Sequence, residues 1–165
     1  MQHGIYYFTA RGLDAYRARI QELEIRLREV QAYSADAADV GGNQYHDNAS
    51  YENLVIQLRG LDNQVNEGHR ILNSAKVIEA PKDISSVTIG CCVKYTMNGV
   101  SRSCVVVGFG ESDPLRGLLA YDTPIGQLLI GLKVGEIHEG SMQGRQVEIE
   151  IVDIFLPSSR EEQRV

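Results

Sequence analysis

Two heptad seams that match each other constrain this chain more than any other feature. From Leu13 the apolar or small residues recur at Tyr16, Ile20, Leu23, Leu27, Val30, Ser34 and Ala37, in unbroken steps of three and four. A second run reads Tyr51, Leu54, Leu58, Leu61, Val65, Gly68, Leu72 and Ala75. That spacing lines one face of a helix, and neither run contains a proline. Thr9 is placed to cap the first helix, and Asp47 or Asn48 the second. The short link between the runs predicts an antiparallel hairpin over about residues 10–42 and 47–76. Folding it about positions 44 and 45 sets Ile20 near Gly68 and Leu27 near Leu61. Each arm is roughly 40 Å long at 1.5 Å per residue. A homodimeric or four-helix coiled coil would use the same stripes. The internal match of the two seams favours a monomeric hairpin.

After "KVIEAPKD" the hydrophobic period changes to two. "CCVKYTMNGVSRSCVVVGFG" reads as two strands around Asn98-Gly99, a hairpin-turn pair, and "LLAYDTPIGQLLIG" as a strand followed by a short helix. In that helix Thr123 is the N-cap and Pro124 occupies the first turn. A final strand pair surrounds Gln143-Gly144, with Val147, Ile149, Ile151 and Ile154 on its buried face. The fold class is therefore α+β. A coiled-coil hairpin over residues 1–78 is followed by a linker at 79–81. A small antiparallel β domain with one short helix then covers residues 82–157, and 158–165 form a frayed tail.

The formal charge of −6 leaves no basic excess for DNA phosphates or an anionic membrane, so neither sequence-specific DNA binding nor membrane attachment is expected. Cys91, Cys92 and Cys104 lack zinc-type spacing. Adjacent Cys91 and Cys92 must point to opposite faces of a strand, which predicts inert buried thiols. An odd cysteine count without a signal peptide fits a reducing cytoplasm. No cofactor of its own is expected.

Charge along the hairpin is uneven. Five arginines, Arg11, Arg17, Arg19, Arg26 and Arg28, lie between residues 11 and 28, and no Lys or Arg follows from residue 29 through residue 58. That stretch carries Glu29, Asp36, Asp39, Asp47 and Glu52, an acidic tip centred near residues 39–52. A long arm ending in carboxylates suits a positive surface or a site holding a divalent metal. Asp47 has a second reading as a helix cap that favours the dipole.

These features together resemble the Gre transcript-cleavage factors of bacterial RNA polymerase. "HDNASYENL" is similar to the family's Glu-Asn-Ala-Glu-Tyr tip, with Asp47-Asn48-Ala49-Ser50-Tyr51 in its place. "ILNSAKVI" is similar to the segment that closes the family's second helix. "YDTPIGQLLIGLKVGE" resembles the family's Ser-Pro-(x)-Gly signature, through Thr123, Pro124, Gly126, Leu128, Leu129, Gly131, Lys133, Gly135 and Glu136. The resemblance implies an FKBP-like second domain that docks on polymerase, with Thr123, Pro124, Gly126, Gly131 and Lys133 in the docking segment. It implies a hairpin that enters the secondary channel and tip carboxylates that help hold a shared magnesium ion, here at Asp47. It implies no activity without polymerase, which then cuts its own extruded RNA. Arg11, Arg17 and Arg19 become candidates for contact with the RNA 3′ end, although intrahelical ion pairs with the interspersed glutamates account for them equally.

One departure from the family lies at the tip. An Asp stands three positions before the family's Glu, whereas here Gln44, or Asn43 if one residue is inserted, occupies that place. Asp39 is the nearest other acid. Three functions remain: a factor that promotes cleavage of backtracked RNA, a relative that occupies the channel without promoting cleavage, and a coiled-coil adaptor or chaperone with an unrelated partner.

Overall fold

The computed structural model describes residues 4–40, 49–79, 81 and 84–157, without the side chains of 35–40 and 49–51. It has two compact units. Unit 1 comprises Met1–Leu13 and Ala75–Val165, and unit 2 comprises Asp14–Ser74.

Unit 2 is built from helix α1 (Ala10–Val40) beyond its first turn and from helix α2 (Ala49–Asn73). Eight residues, 41–48, link them. Such a link reaches at most about 30 Å at ~3.6 Å per residue, less than the ~45 Å length of α1, so α2 must run back antiparallel. The register follows the seams. Gly68 lies against Ile20, where an added Cβ would come within 2.2 Å of the Ile20 Cδ1. Ile20, Leu61, Val65 and Gly68 are buried, whereas Leu23, Leu27, Val30, Leu54 and Leu58 are half-buried. The apolar seam thus thins as it leaves Ile20 and Gly68, and Leu27 and Leu61 are not equally enclosed. The expected tip and the C-terminal tail fall outside the described residues, apart from the backbone of 39, 40 and 49–51 and the residue Glu52.

Unit 1 is a five-stranded sheet in the order β5-β4-β3-β7-β6, with β3 (Cys92–Met97), β4 (Val100–Val107), β5 (Leu118–Ala120), β6 (Ile137–Met142) and β7 (Arg145–Phe155). The β3–β4 hairpin turns at Asn98 and Gly99, with φ of 50° and 77°, and the β6–β7 hairpin at Gln143 and Gly144, with φ of 52° and 78°. Two consecutive positive φ angles match the right-handed strand twist, which is why Asn-Gly and Gln-Gly mark the turns. A short helix, α3 (Pro124–Leu129), adds Leu129 to a core of Cys91, Val93, Tyr95, Ile149 and Ile151. Along β7 the buried residues fall at 147, 149 and 151, and then at 154. The odd step has a cause. Lys94 pairs with Asp153 and Tyr95 with Ile151, so Val152 is an extra residue that bulges and returns Ile154 to the core face.

Two expectations are corrected. The sheet is mixed rather than antiparallel, because β5 joins β4 in parallel. The chain returns through residues 108–117, held by Asp113, whose N–H and C=O both bond Leu118. The hairpin also does not claim the first 78 residues, since 1–13 and 75–78 belong to unit 1. Strand β1 (Tyr6–Phe8) pairs in parallel with β2 (Ala75–Val77), and Phe8 is fully buried edge-on to Phe109, at a centroid distance of 5.7 Å. Nonlocal aromatic packing, rather than any local period, decides that assignment.

Candidate functional site

The segment from β5 through α3 to the start of β6 is built almost entirely from backbone constraints. The Thr123 hydroxyl accepts from the Gly126 N–H at 3.1 Å and donates to the Ala120 carbonyl at 2.7 Å, which caps α3 and ties it to the end of β5. Pro124 occupies the first turn, where its missing N–H costs no bond. Gly126 is required by space, because a Cβ there would sit 2.3 Å from the Ala120 oxygen and 2.9 Å from the Tyr121 backbone. Gly131 and Gly135 hold φ of 87° and 81°, a region that disfavours other residues. The N–H of Gly131 donates to Val87, and that of Gly135 to Ile151, each at 2.8 Å. The Glu136 carboxylate accepts from the Lys133 N–H at 2.8 Å and closes the last turn. Thr123, Pro124, Gly126 and Gly131 therefore shape one rigid surface, on which Pro124, Lys133, Val134 and Ile137 are exposed.

Asp122 was not among the residues singled out from the sequence. Its Oδ1 is buried and has no hydrogen-bond partner among the described residues. An acceptor in that state invites a donor from outside, because an unsatisfied carboxylate oxygen costs free energy. Position immediately before a Thr-Pro helix start was the one available sequence signal.

On the hairpin, Arg11, Arg17 and Arg19 all lie on α1 and are exposed. Arg17 pairs with Asp14 at 3.0 Å, an intrahelical bridge of the kind the sequence allowed. His69 meets Glu24 at 2.7 Å across the two helices. Arg70 bonds Glu67 and thereby holds the Glu67 carboxyl below its ordinary range. Asp39 falls in the last turn of α1, its side chain outside the described residues, as are Asn43, Gln44 and Asp47.

Cys91 and Cys92 enter the clusters on opposite faces of the sheet, and none of the three cysteines forms a disulfide among the described residues. Burial, followed by the neighbouring Cys91, pushes Cys104 up to about 12, and burial also raises Cys91. Thiols so disposed are poor nucleophiles. Among the described residues no cluster of His, Cys, Asp or Glu could hold a metal, and no helix is long and apolar enough to cross a membrane.

Residues 81–155 match the family model for the C-terminal part of the transcription elongation factors GreA and GreB. The chain is 26% identical over 150 residues to the transcription elongation factor GreA of Lachnoclostridium phytofermentans, covering 88% of this chain and 92% of that one. With the GreA of Flavobacterium johnsoniae it shares 27% over 154 residues, 91% and 96% of the two chains. Among solved structures, the GreA factor homolog Gfh1 of Thermus thermophilus aligns over 92% of this chain and 99% of its own, at 18% identity and a TM-score of 0.43. The family-matched region contains the whole β5–α3–β6 segment, and the relatives extend the match across the helical arm. Residues 81–155 thus match the C-terminal part of GreA and GreB, and along most of its length the chain is similar to the transcription elongation factors GreA.

Proposed function

We propose that this chain binds bacterial RNA polymerase through the β5–α3–β6 surface, extends its hairpin into the secondary channel and promotes cleavage of backtracked RNA. The observation that carries this reading is the union of a family-type docking segment with an arm that lacks any cation from residue 29 through 58. Asp122, Thr123 and Pro124 form the forward edge of that segment, and a donor on the partner would satisfy the buried Asp122 Oδ1. Arg11, Arg17 and Arg19 lie on α1 and are available to RNA phosphates once weak surface pairs such as Arg17–Asp14 exchange.

The factor is not an enzyme alone; it assists the catalytic site of its partner. Asp47, with a neutral amide oxygen from Gln44 or Asn43, would help hold the magnesium supplied at the polymerase active site, and Asp39 is a further carboxylate nearby in sequence. In a two-metal site the second ion stabilises an activated water and the leaving oxygen. All these donors are hard oxygens, as magnesium prefers, but only one of the two tip positions carries charge.

That deficit favours a second reading, in which the tip acts by occupying the channel and modulates polymerase without stimulating cleavage. The deciding experiment follows cleavage in backtracked elongation complexes with and without the protein. A rate that rises with the protein and falls with Asp47→Asn supports assisted cleavage, since Asn caps a helix about as well as Asp. Binding to polymerase with no added cleavage transfers the function to occupancy. No binding at all removes polymerase as the partner.

A further inference from the structure

Strand β6 ends the five-stranded sheet, so one of its two edges faces away from the ladder. The phase of that edge follows from the turn after it. Met142 and Arg145 flank the two-residue turn at Gln143 and Gly144 and therefore exchange both main-chain bonds. Alternation then directs the main chain of Met142, Gly140 and His138 toward β7. The Ile151 N–H, which donates to the Glu136 carbonyl at 3.1 Å, keeps the same phase. Ser141, Glu139 and Ile137 thus aim their N–H and C=O groups outward, where no strand pairs with them among the described residues.

Side chains beside this edge decide what can join it. A Cβ added at Gly140 would meet Leu128 of α3 at 2.7 Å, so Ile137, Glu139 and Ser141 occupy the face opposite α3. On that face Glu139 stands directly across from Glu148, and Glu150 follows on β7, across from Ile137. All three carboxylates are exposed. Like charges directly opposite destabilise a strand pair, most of all where no main-chain bonds join the residues and side chains come closest. Lys94, on the same face of β3, stands opposite Asp153 and holds its ammonium 5.5 Å from the centre of the Phe155 ring. A second copy of this chain, added antiparallel, would sit about a two-fold axis perpendicular to the sheet. Both acidic rows would then share one face, so charge opposes self-pairing and favours a cationic strand.

We propose that the outer edge of β6 binds an extended basic segment of a partner protein by antiparallel strand addition. The main chain of that segment pairs with Ile137, Glu139 and Ser141, and its alternate Lys or Arg side chains lie over Glu139, Glu148 and Glu150. Main-chain bonds supply affinity for any extended segment, and the carboxylates select a basic one. The inference goes beyond the polymerase reading. Only Ile137 is common to this edge and to the surface around Thr123 and Pro124, and peptides alone test it.

The probe is a labelled peptide of about ten residues alternating lysine and valine, long enough to span the six residues of β6. Fluorescence anisotropy of the peptide with the full chain at low salt measures binding, and amide exchange locates it. Binding should slow exchange at the Glu139 and Ser141 N–H groups. Methylation of the peptide's lysine main-chain nitrogens, which face β6 in this pairing, keeps the charge and should abolish binding. Glutamate in place of lysine in the peptide, or Glu139→Lys in the chain, should weaken it about tenfold. Ser141→Pro removes one outward N–H without costing a bond to β7, and it too should weaken binding. Thermal melts of both variants confirm that they remain folded. Three results overturn the proposal: no binding at millimolar concentration, undiminished binding of the methylated peptide, or slow exchange at Glu139 and Ser141 in the chain alone, which would show the edge already covered.

Discussion

Gly126 and Gly68 are both buried glycines in helices, and they show how differently the two units are held. The space beside Gly126 is closed by backbone, the Ala120 carbonyl and the Tyr121 main chain. At Gly68 the obstacle is the far end of the Ile20 side chain, which can change rotamer. Unit 1 is therefore specified by atoms that cannot yield. The hairpin is specified by periodicity and by side chains that can repack. A docking surface benefits from the first kind of construction, because pre-organised groups lose little freedom on binding.

The largest effect should come from Gly126→Ala. With backbone on two sides, α3 must shift off β5, at a cost of about 3 kcal/mol in urea unfolding. A loss under about 1 kcal/mol would mean that the segment yields as readily as the hairpin does. Glu111→Ala comes next. The Glu111 carboxylate accepts from the Thr9 N–H at 2.9 Å and from the Thr9 hydroxyl at 2.7 Å, and that hydroxyl in turn accepts from the Gly12 N–H. Losing two charge-assisted bonds at a half-buried site should cost about 2 kcal/mol, and Glu111→Gln less. Equal losses in the two variants would show that packing against Gly12 and Gly108, not hydrogen bonding, is what Glu111 provides.

Alkaline pH offers a smaller effect, again concentrated in unit 1. Cys91, Tyr95, Cys104 and Tyr121 are all raised, mainly by burial. The unfolded chain therefore releases these protons first and binds fewer than the folded chain does. Stability then falls as pH climbs above the ordinary thiol value of 9.0 toward the folded Cys104 value of about 12. Cys104 alone should contribute a loss of about 1 kcal/mol at pH 10. Denaturant midpoints at pH 8 and pH 10 measure it, and Cys104→Ala should flatten the dependence. Gly68→Ala should matter least. Gain of helix propensity, ~1 kcal/mol, offsets displacement of Ile20, leaving a change within about 1 kcal/mol. A loss as large as that of Gly126→Ala would erase the distinction between the units.

The seams, the two turn pairs and the Thr-Pro start of α3 were legible because each is a local signal, carried within a few residues or one repeating period. The bulge at Val152 was legible in part, since the step from Ile151 to Ile154 breaks a strict alternation. By contrast, strand β1 is only three residues long and finds its partner at Ala75–Val77, so no window of sequence contains the evidence for it. The parallel placement of β5 was hidden for a similar reason, because the return through residues 108–117 is fixed by contacts rather than by composition. Asp122 was missed because a carboxylate beside a helix start reads as an ordinary exposed residue until its burial is seen.

The bonds between Thr9 and Glu111 have a consequence for the order in which the chain is made. Their partners are separated by 102 positions. At a synthesis rate of ~5–20 residues per second, the N-terminal strand leaves the ribosome on the order of ten seconds before Glu111 exists to receive it. The helices between them can pair during that interval, since their contacts lie within the chain already made. Strand β1 must wait, with Phe8 uncovered, until the loop after β4 has emerged. Nascent chains halted before residue 109 should therefore leave Phe8 open to a chaperone or a protease, and chains released beyond β7 should protect it.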